Sequence, residues 1–132
     1  MTKAEVRLKI AIHAGRSNDF SEGYRYALRY GLKNLLELQQ KFDEIFLCLK
    51  ELKEFFYLPE VERELLADLN EILYGSILYS NNKESNYCVV QIFSEILSET
   101  LVHLLENAEY PFEAFDNYKE NYDDILNREI KQ

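Results

Sequence analysis

Among the 132 residues, the side chains with the widest chemical range are two histidines, His13 and His103, and 24 carboxylates. Arg7 and His13, with five residues between them, could offer a cation and a general base to a phosphate if both were aimed at one spot. Glu99 and His103 lie one helical turn apart and could both touch a metal ion, although a closed site needs more nitrogen or sulfur ligands from elsewhere. Glu51 and Glu54, followed after thirteen residues by Asp68 and Glu71, place two carboxylate pairs at helical spacing, a donor set suited to Mg²⁺. Neither histidine has a Ser or Cys nearby in a recognisable nucleophile context. Cys48 and Cys88 sit singly in apolar runs, IFLCLK and YCVVQIF. They fit neither a metal-ligand spacing nor a disulfide framework, so buried, reduced thiols are expected.

Two of these patterns resemble known families. Glu51-Leu-Lys-Glu54 with Asp68-Leu-Asn-Glu71 resembles the paired carboxylate motif of all-α nucleotide pyrophosphohydrolases, which implies Mg²⁺ held between helices by those four acids. The second half here runs from Asp to Glu, the reverse of that family's order. Glu51 and Glu54 also point about 150° or more from the centre of the apolar stripe on their own helix, whereas metal carboxylates must face a neighbouring helix. Arg7 and His13 are similar in spacing to the Arg/His pair of HEPN ribonucleases, also helical bundles. In that family the pair lies in a late helix, and here it opens the chain. A small helical hydrolase acting on nucleotides or RNA therefore stands as the alternative reading. The primary reading carries no catalysis, no cofactor and no metal.

Charge points elsewhere. The net charge of -9 is unevenly spread: residues 1–41 carry +4 and the remaining 91 carry -13. The acidic part repels nucleic acid and membrane surfaces and favours a basic partner, and the basic part has the option of docking on it. Placed on helices, Glu60, Glu64, Asp68 and Glu71 fall within about 80° of arc, and Glu113, Asp116, Glu120, Asp123 and Asp124 within about 100°. Neither ridge has a full set of Lys or Arg at i+4, and like charges along one face cost a few tenths of a kcal/mol per pair. Arg25, Arg29 and Lys33, interleaved with Tyr24, Tyr26 and Tyr30, form the one basic aromatic patch. Such a patch suits RNA or single-stranded DNA, but in a chain acidic in sum, pairing with an acidic helix of the same chain is favoured.

The elements that must position these residues read as helices. Hydrophobic residues make up 47% of the chain, with 18 Phe plus Tyr but only four Gly and two Pro. That composition disfavours an all-β or disordered chain, and the length suits one domain, 1–132, burying roughly two thirds of its unfolded-chain surface. Thr2 and Glu5 have the spacing of a capping box, and Gly15 suits the end of the helix that follows. The alternation of Val6, Leu8, Ile10 and Ile12 keeps a strand open for residues 4–13. From Phe20 to Tyr57 the pattern predicts two helices broken near Gln39-Gln40-Lys41. Gly23, Ala27 and Gly31 form a seam without bulk on the first, and Phe42, Ile45, Phe46, Leu49, Leu52 and Phe56 a core stripe on the second. Pro59 suits the first position of a helix that runs to about Ser80 and buries Leu65, Leu69, Ile72, Leu73 and Ile77. Asn81-Asn82-Lys83 reads as a turn. The polar residues of the next segment, Gln91, Ser94, Glu95, Ser98 and Glu99, cover an arc of only about 140°. This predicts a central helix at about 86–107 with neighbours on two sides. Pro111 opens a last helix bearing Phe115, Tyr118, Tyr122, Ile125 and Leu126 on one side. The whole predicts an all-α bundle of five or six mostly antiparallel helices.

These observations favour a cytoplasmic, non-catalytic domain that binds a basic protein. Its most concrete form is an immunity- or antitoxin-type inhibitor of a bacterial toxin such as a nuclease, with Glu60, Glu64, Asp68, Glu71, Asp116, Glu120 and Asp124 supplying steering and salt bridges. No membrane contact is expected, nucleic acid is disfavoured, and the Gly23/Ala27/Gly31 seam admits a second copy of the chain.

Overall fold

Thr2 caps the first helix, its hydroxyl accepting from the Glu5 N–H at 3.2 Å, and the chain folds into helices from there on. The computed structural model describes residues 1–30, 35–80 and 87–121. Its helices are α1 (Lys3–His13), α2 (Tyr24–Tyr30), α3 (Leu35–Glu51), α4 (Arg63–Ser80), α5 (Tyr87–Leu105) and α6 (113–121), with 3₁₀ turns at Phe20–Glu22 and Lys53–Tyr57. The strand alternative for residues 4–13 fails because Leu8 faces solvent while Val6 and Ile10 are buried on one helical face. After α1, Gly15 adopts φ +83°, and the Arg16 N–H reaches back to the Ala11 carbonyl at 3.0 Å. This is a left-handed helix stop that favours glycine.

The expected break at Gln39-Gln40-Lys41 is not there: α3 runs straight through it. Leu38, Gln39 and Phe42 are buried together, so core contact continues across that point. The segment expected as one helix before it is instead the Phe20–Glu22 turn and the short α2, divided at Gly23. A Cβ on Gly23 would lie 2.0 Å from the Ile12 carbonyl oxygen. The small-residue seam therefore begins as a close approach of α2 to α1 within the chain; Gly31, like Lys33, falls outside the described residues. At its far end α3 stops at Glu51, and the stripe continues through Leu52 and Phe56 of the 3₁₀ turn. Leu58 is extended, as the residue before a proline prefers, and α4 starts at Arg63 rather than Pro59.

Leu65, Leu69 and Ile72 of α4 are buried as expected, whereas Ile77 is 51% exposed. Asn107 closes the turn after α5 in the left-handed region, φ 57°. Leu66 and Leu69 near the start of α4 meet Leu101 and Leu105 near the end of α5, so these two helices run antiparallel. α4 packs on α1 and α2 as well as on α5, and α5 also meets the Lys53–Tyr57 turn. Cys88–Leu105 is long and apolar enough in composition to cross a membrane. Val89, Val90, Phe93, Ile96, Leu97 and Leu104 of that helix are buried in the core, which accounts for its apolar character.

A run of aromatic rings ties the C-terminal half together. Phe42 stacks on Phe93 at 4.1 Å and 11°, Phe46 on Phe115 at 4.3 Å and 2°, and Tyr118 meets Phe42 and Phe93 edge-on at 5.8 Å each. Offset and edge-on pairs of this kind add about 0.5–1.5 kcal/mol each beyond area burial. Tyr122, Ile125 and Leu126, expected on the same face, lie outside the described residues.

Candidate binding surfaces

The α4 acids meet arginines from the N-terminal part of the chain. Asp68 is the centre: its side chain is 1% exposed, with Arg16 Nε 2.5 Å from Oδ1 and Arg7 Nη1 3.5 Å from Oδ2. Arg16 also pairs with Glu64 and Arg7 with Glu62, both at 3.0 Å. Arg25 lies 3.8 Å from Glu71. The ridge expected to project as an acidic face is thus joined to α1, α2 and the link between them, and Asp68 is buried rather than presented to solvent. Glu60 precedes α4 and is exposed, beside Val61, which packs against the core. On the second ridge Asp116 pairs with Lys50 at 2.9 Å, while Lys119 donates to Asp43 at 2.7 Å, fastening α6 to α3. Glu113 and Glu120 are exposed, and Asp123 and Asp124 fall outside the described residues.

The residues of the catalytic alternative are occupied as well. His13 is buried; its Nδ1 accepts the Tyr24 N–H at 3.0 Å, so the ring proton resides on Nε2 and donates to Glu44 Oε1 at 2.9 Å. That bond, helped by the nearby Lys9, holds the Glu44 carboxyl below its usual range against the opposing effect of burial. Arg7 is committed to Glu62 and Asp68, so the pair is not free to grip a phosphate. Glu54 pairs with Lys3 at 3.1 Å. Among the described residues no group of three or more His, Cys, Asp or Glu is placed to share a metal ion. His103 is half-buried beside exposed Glu99. Burial, reinforced by Glu44, pushes the Cys48 thiol up to about 11, a poor nucleophile at neutral pH. Tyr24 is fully buried with its hydroxyl 3.2 Å from Ser76 Oγ, and burial raises its pKa.

Comparison of the chain with protein-family models, curated proteins and solved structures finds no match.

Among the described residues, two surfaces stand out once the internal pairs are set aside. The first is the outer face of α5, where Gln91, Glu95, Ser98, Glu99, Val102, Leu105 and Glu106 are exposed. Glu95, Glu99 and Glu106 have no cation within ion-pair distance among the described residues. At the Leu105 edge of this face runs a largely apolar groove of about 430 Å³ between α4 and α5, floored by Leu66, Ala67, Leu69, Leu101 and Leu105, with Arg63 and Asn70 also in its lining. The sequence did signal this face as the polar arc of α5, but its helix was read for core packing alone. The second surface is a cleft of about 460 Å³ between the end of α1, α2 and α4, where Arg25 and Arg29 stand among Phe20, Tyr26, Tyr30 and Tyr79. Sequence reasoning found its arginines and two of its tyrosines. It missed Phe20 and Tyr79, which nothing local in the sequence links to α2.

Proposed function

We propose that this chain is a non-catalytic acidic domain that binds a basic protein, and that the outer face of α5 with the adjoining α4 groove is where it binds. The observation that carries this reading is the row Glu95, Glu99 and Glu106, acids without a cation partner among the described residues, on the same face as the exposed Val102 and Leu105 and next to an apolar groove. Acids in such a row repel each other mildly in the free protein and would steer a cationic partner, while the groove supplies apolar area to hold it. The partner that fits is a basic amphipathic segment laying an apolar stripe in the groove. In its most concrete form the domain is an immunity- or antitoxin-type inhibitor covering the cationic substrate face of a toxin. The engagement of Arg7 and Asp68 in ion pairs, and of both His13 ring nitrogens in hydrogen bonds, is what disfavours the hydrolase alternative.

The experiment compares the tagged wild-type chain with the triple variant E95K/E99K/E106K in capture from host extract at low salt, followed by a salt step. One stoichiometric basic protein held by the wild type, released by salt and lost with the variant is the expected result. A partner retained equally by both chains would refute this face.

A further inference from the structure

We infer that the cleft between the end of α1, α2 and α4 binds a small anionic ligand carrying an aromatic ring, of the class of nucleoside phosphates. The inference is independent of the α5 face. α4 turns Glu71, Gly75 and Tyr79 toward α2 and this cleft, and Leu66, Ala67 and Asn70 toward the α5 groove.

Its chemistry departs from the rest of the molecule. In a chain of net charge -9, the cleft gathers arginines and aromatic rings against a single carboxylate, Glu71. Arg29 is exposed, has no carboxylate partner among the described residues, and lies over the ring of Tyr30, 5.3 Å from its centroid. Arg25 keeps a loose 3.8 Å pairing with Glu71, and its Nη1 is buried without a hydrogen-bond acceptor. That atom lies against Gly75 of α4, and the guanidinium also stands over the Tyr74 ring at 5.9 Å, so its other N–H groups are the ones that face a ligand in the cleft. One helical turn apart, the two guanidinium groups also repel, and a phosphate between them would convert that repulsion into two charge-assisted bonds.

The aromatic side is equally unsatisfied. Phe20 and Tyr30 are 48% and 64% exposed. They flank Tyr26 in a continuous ladder, Phe20 to Tyr26 at 5.8 Å and Tyr26 to Tyr30 at 4.7 Å. A planar base stacked on that ladder would cover apolar surface now facing water. A Cβ on Gly75 would lie 2.1 Å from Arg25 Nη1, so only glycine lets the guanidinium lie flat against α4. The volume, about 460 Å³, falls within the range of small-molecule sites, about 300–1,000 Å³. One or two phosphates match two arginines. A longer nucleic acid strand would have to run past Glu71 in the lining and Glu64, which pairs with the lining residue Arg16, and this disfavours an extended polyanion.

The test is isothermal titration of the full chain with ADP, inorganic phosphate, adenosine and a ten-nucleotide single-stranded RNA. Arg29→Ala and Tyr30→Ala are run in parallel, with their folding verified by circular dichroism. Both substituted residues are exposed, so both variants should fold. The expected result is saturable binding of ADP, at least tenfold weaker binding of phosphate alone and of adenosine alone, and about tenfold loss with each variant, as the loss of one charged hydrogen bond or one stacked base implies. No heat with ADP, ADP binding indifferent to both substitutions, or RNA bound more tightly than ADP would each overturn the inference.

Discussion

Replacing Asp68 by Ala should be among the most damaging single changes in α4, and its size follows from the geometry. Removing one member of a fully buried ion pair costs about 3–5 kcal/mol, because the other charge is left without compensation. Here the stranded arginines are better placed. Arg7 and Arg16 retain Glu62 and Glu64 at 3.0 Å, and their side chains are 20% and 40% exposed. The relaxed charges lower the expectation to about 2–3 kcal/mol, most of it the loss of two charged contacts to a buried carboxylate. With an unfolding entropy of about 2.1 cal/mol/K per residue, that is a fall in Tm of about 9 °C for this chain. Asp68→Asn keeps the shape and should lose more than half of the same stability, since its amide turns a donor toward an arginine. Glu64→Gln, an exposed partner of Arg16, should cost about 0.5 kcal/mol or less. Urea unfolding followed by circular dichroism, at low and at 0.5 M salt as on the order of a tenfold change in ionic strength, measures all three. A cost for Asp68→Ala within about 0.5 kcal/mol of zero, or one that vanishes at high salt, would refute the burial argument, because only a solvated pair is screened away.

Other outcomes test separate parts of the fold. The Glu44 carboxyl titrates below its ordinary value of 4.5, so unfolding takes up a proton there. Its contribution is complete above about pH 4.5 and is lost as pH falls through the depressed folded value. Glu44→Gln should therefore flatten the acid limb of a pH–stability curve, and an unchanged limb would argue against the His13–Glu44 bond. Cys48, with its thiol raised to about 11 by burial, should resist a disulfide reagent at pH 8 in the native chain and react only on unfolding. Rapid labelling of both thiols under native conditions would contradict that packing. Gly23→Ala, whose Cβ would overlap backbone at 2.0 Å, should cost about 3 kcal/mol. Gly75→Ala displaces only the flexible end of Arg25 and should cost about 1 kcal/mol or less. Equal losses at the two glycines would disprove the distinction between backbone and side-chain obstruction.

What could be read from the chain followed the range of the interactions involved. Periodicity reports contacts within one helix, so the core faces of α3 and α5, the Thr2 cap and the Ser80 end of α4 were legible. The division at Gly23 was not, since it is imposed by Ile12 on another helix. The same holds for Asp68: its partners Arg7 and Arg16 are 61 and 52 positions away, and an i+4 search for cations on α4 cannot find them. The charge split between residues 1–41 and the rest foretold that such docking was available, without saying which acids it would take. Ile77 shows the converse error, an apolar residue counted with the buried stripe although it lies about 120° of arc from Leu65 on a straight helix, so that Ser76 rather than Ile77 turns into the core.

The aromatic stack has a consequence for how the chain reaches this state during synthesis. Phe42 and Phe46 pair with each other and Phe42 with Tyr24 early, but their stacking partners Phe93 and Phe115 come later, and Tyr118 lies 76 positions downstream of Phe42. At about 5–20 residues per second on the ribosome, Phe42 and Phe46 wait several seconds with their flat faces uncovered. A nascent chain halted before Phe112 would hold α1 to α5 but leave the Phe46 face open. Completion of the core therefore waits until Phe115 and Tyr118 have left the ribosome, and products terminated before them would be ones that chaperones and proteases recognise.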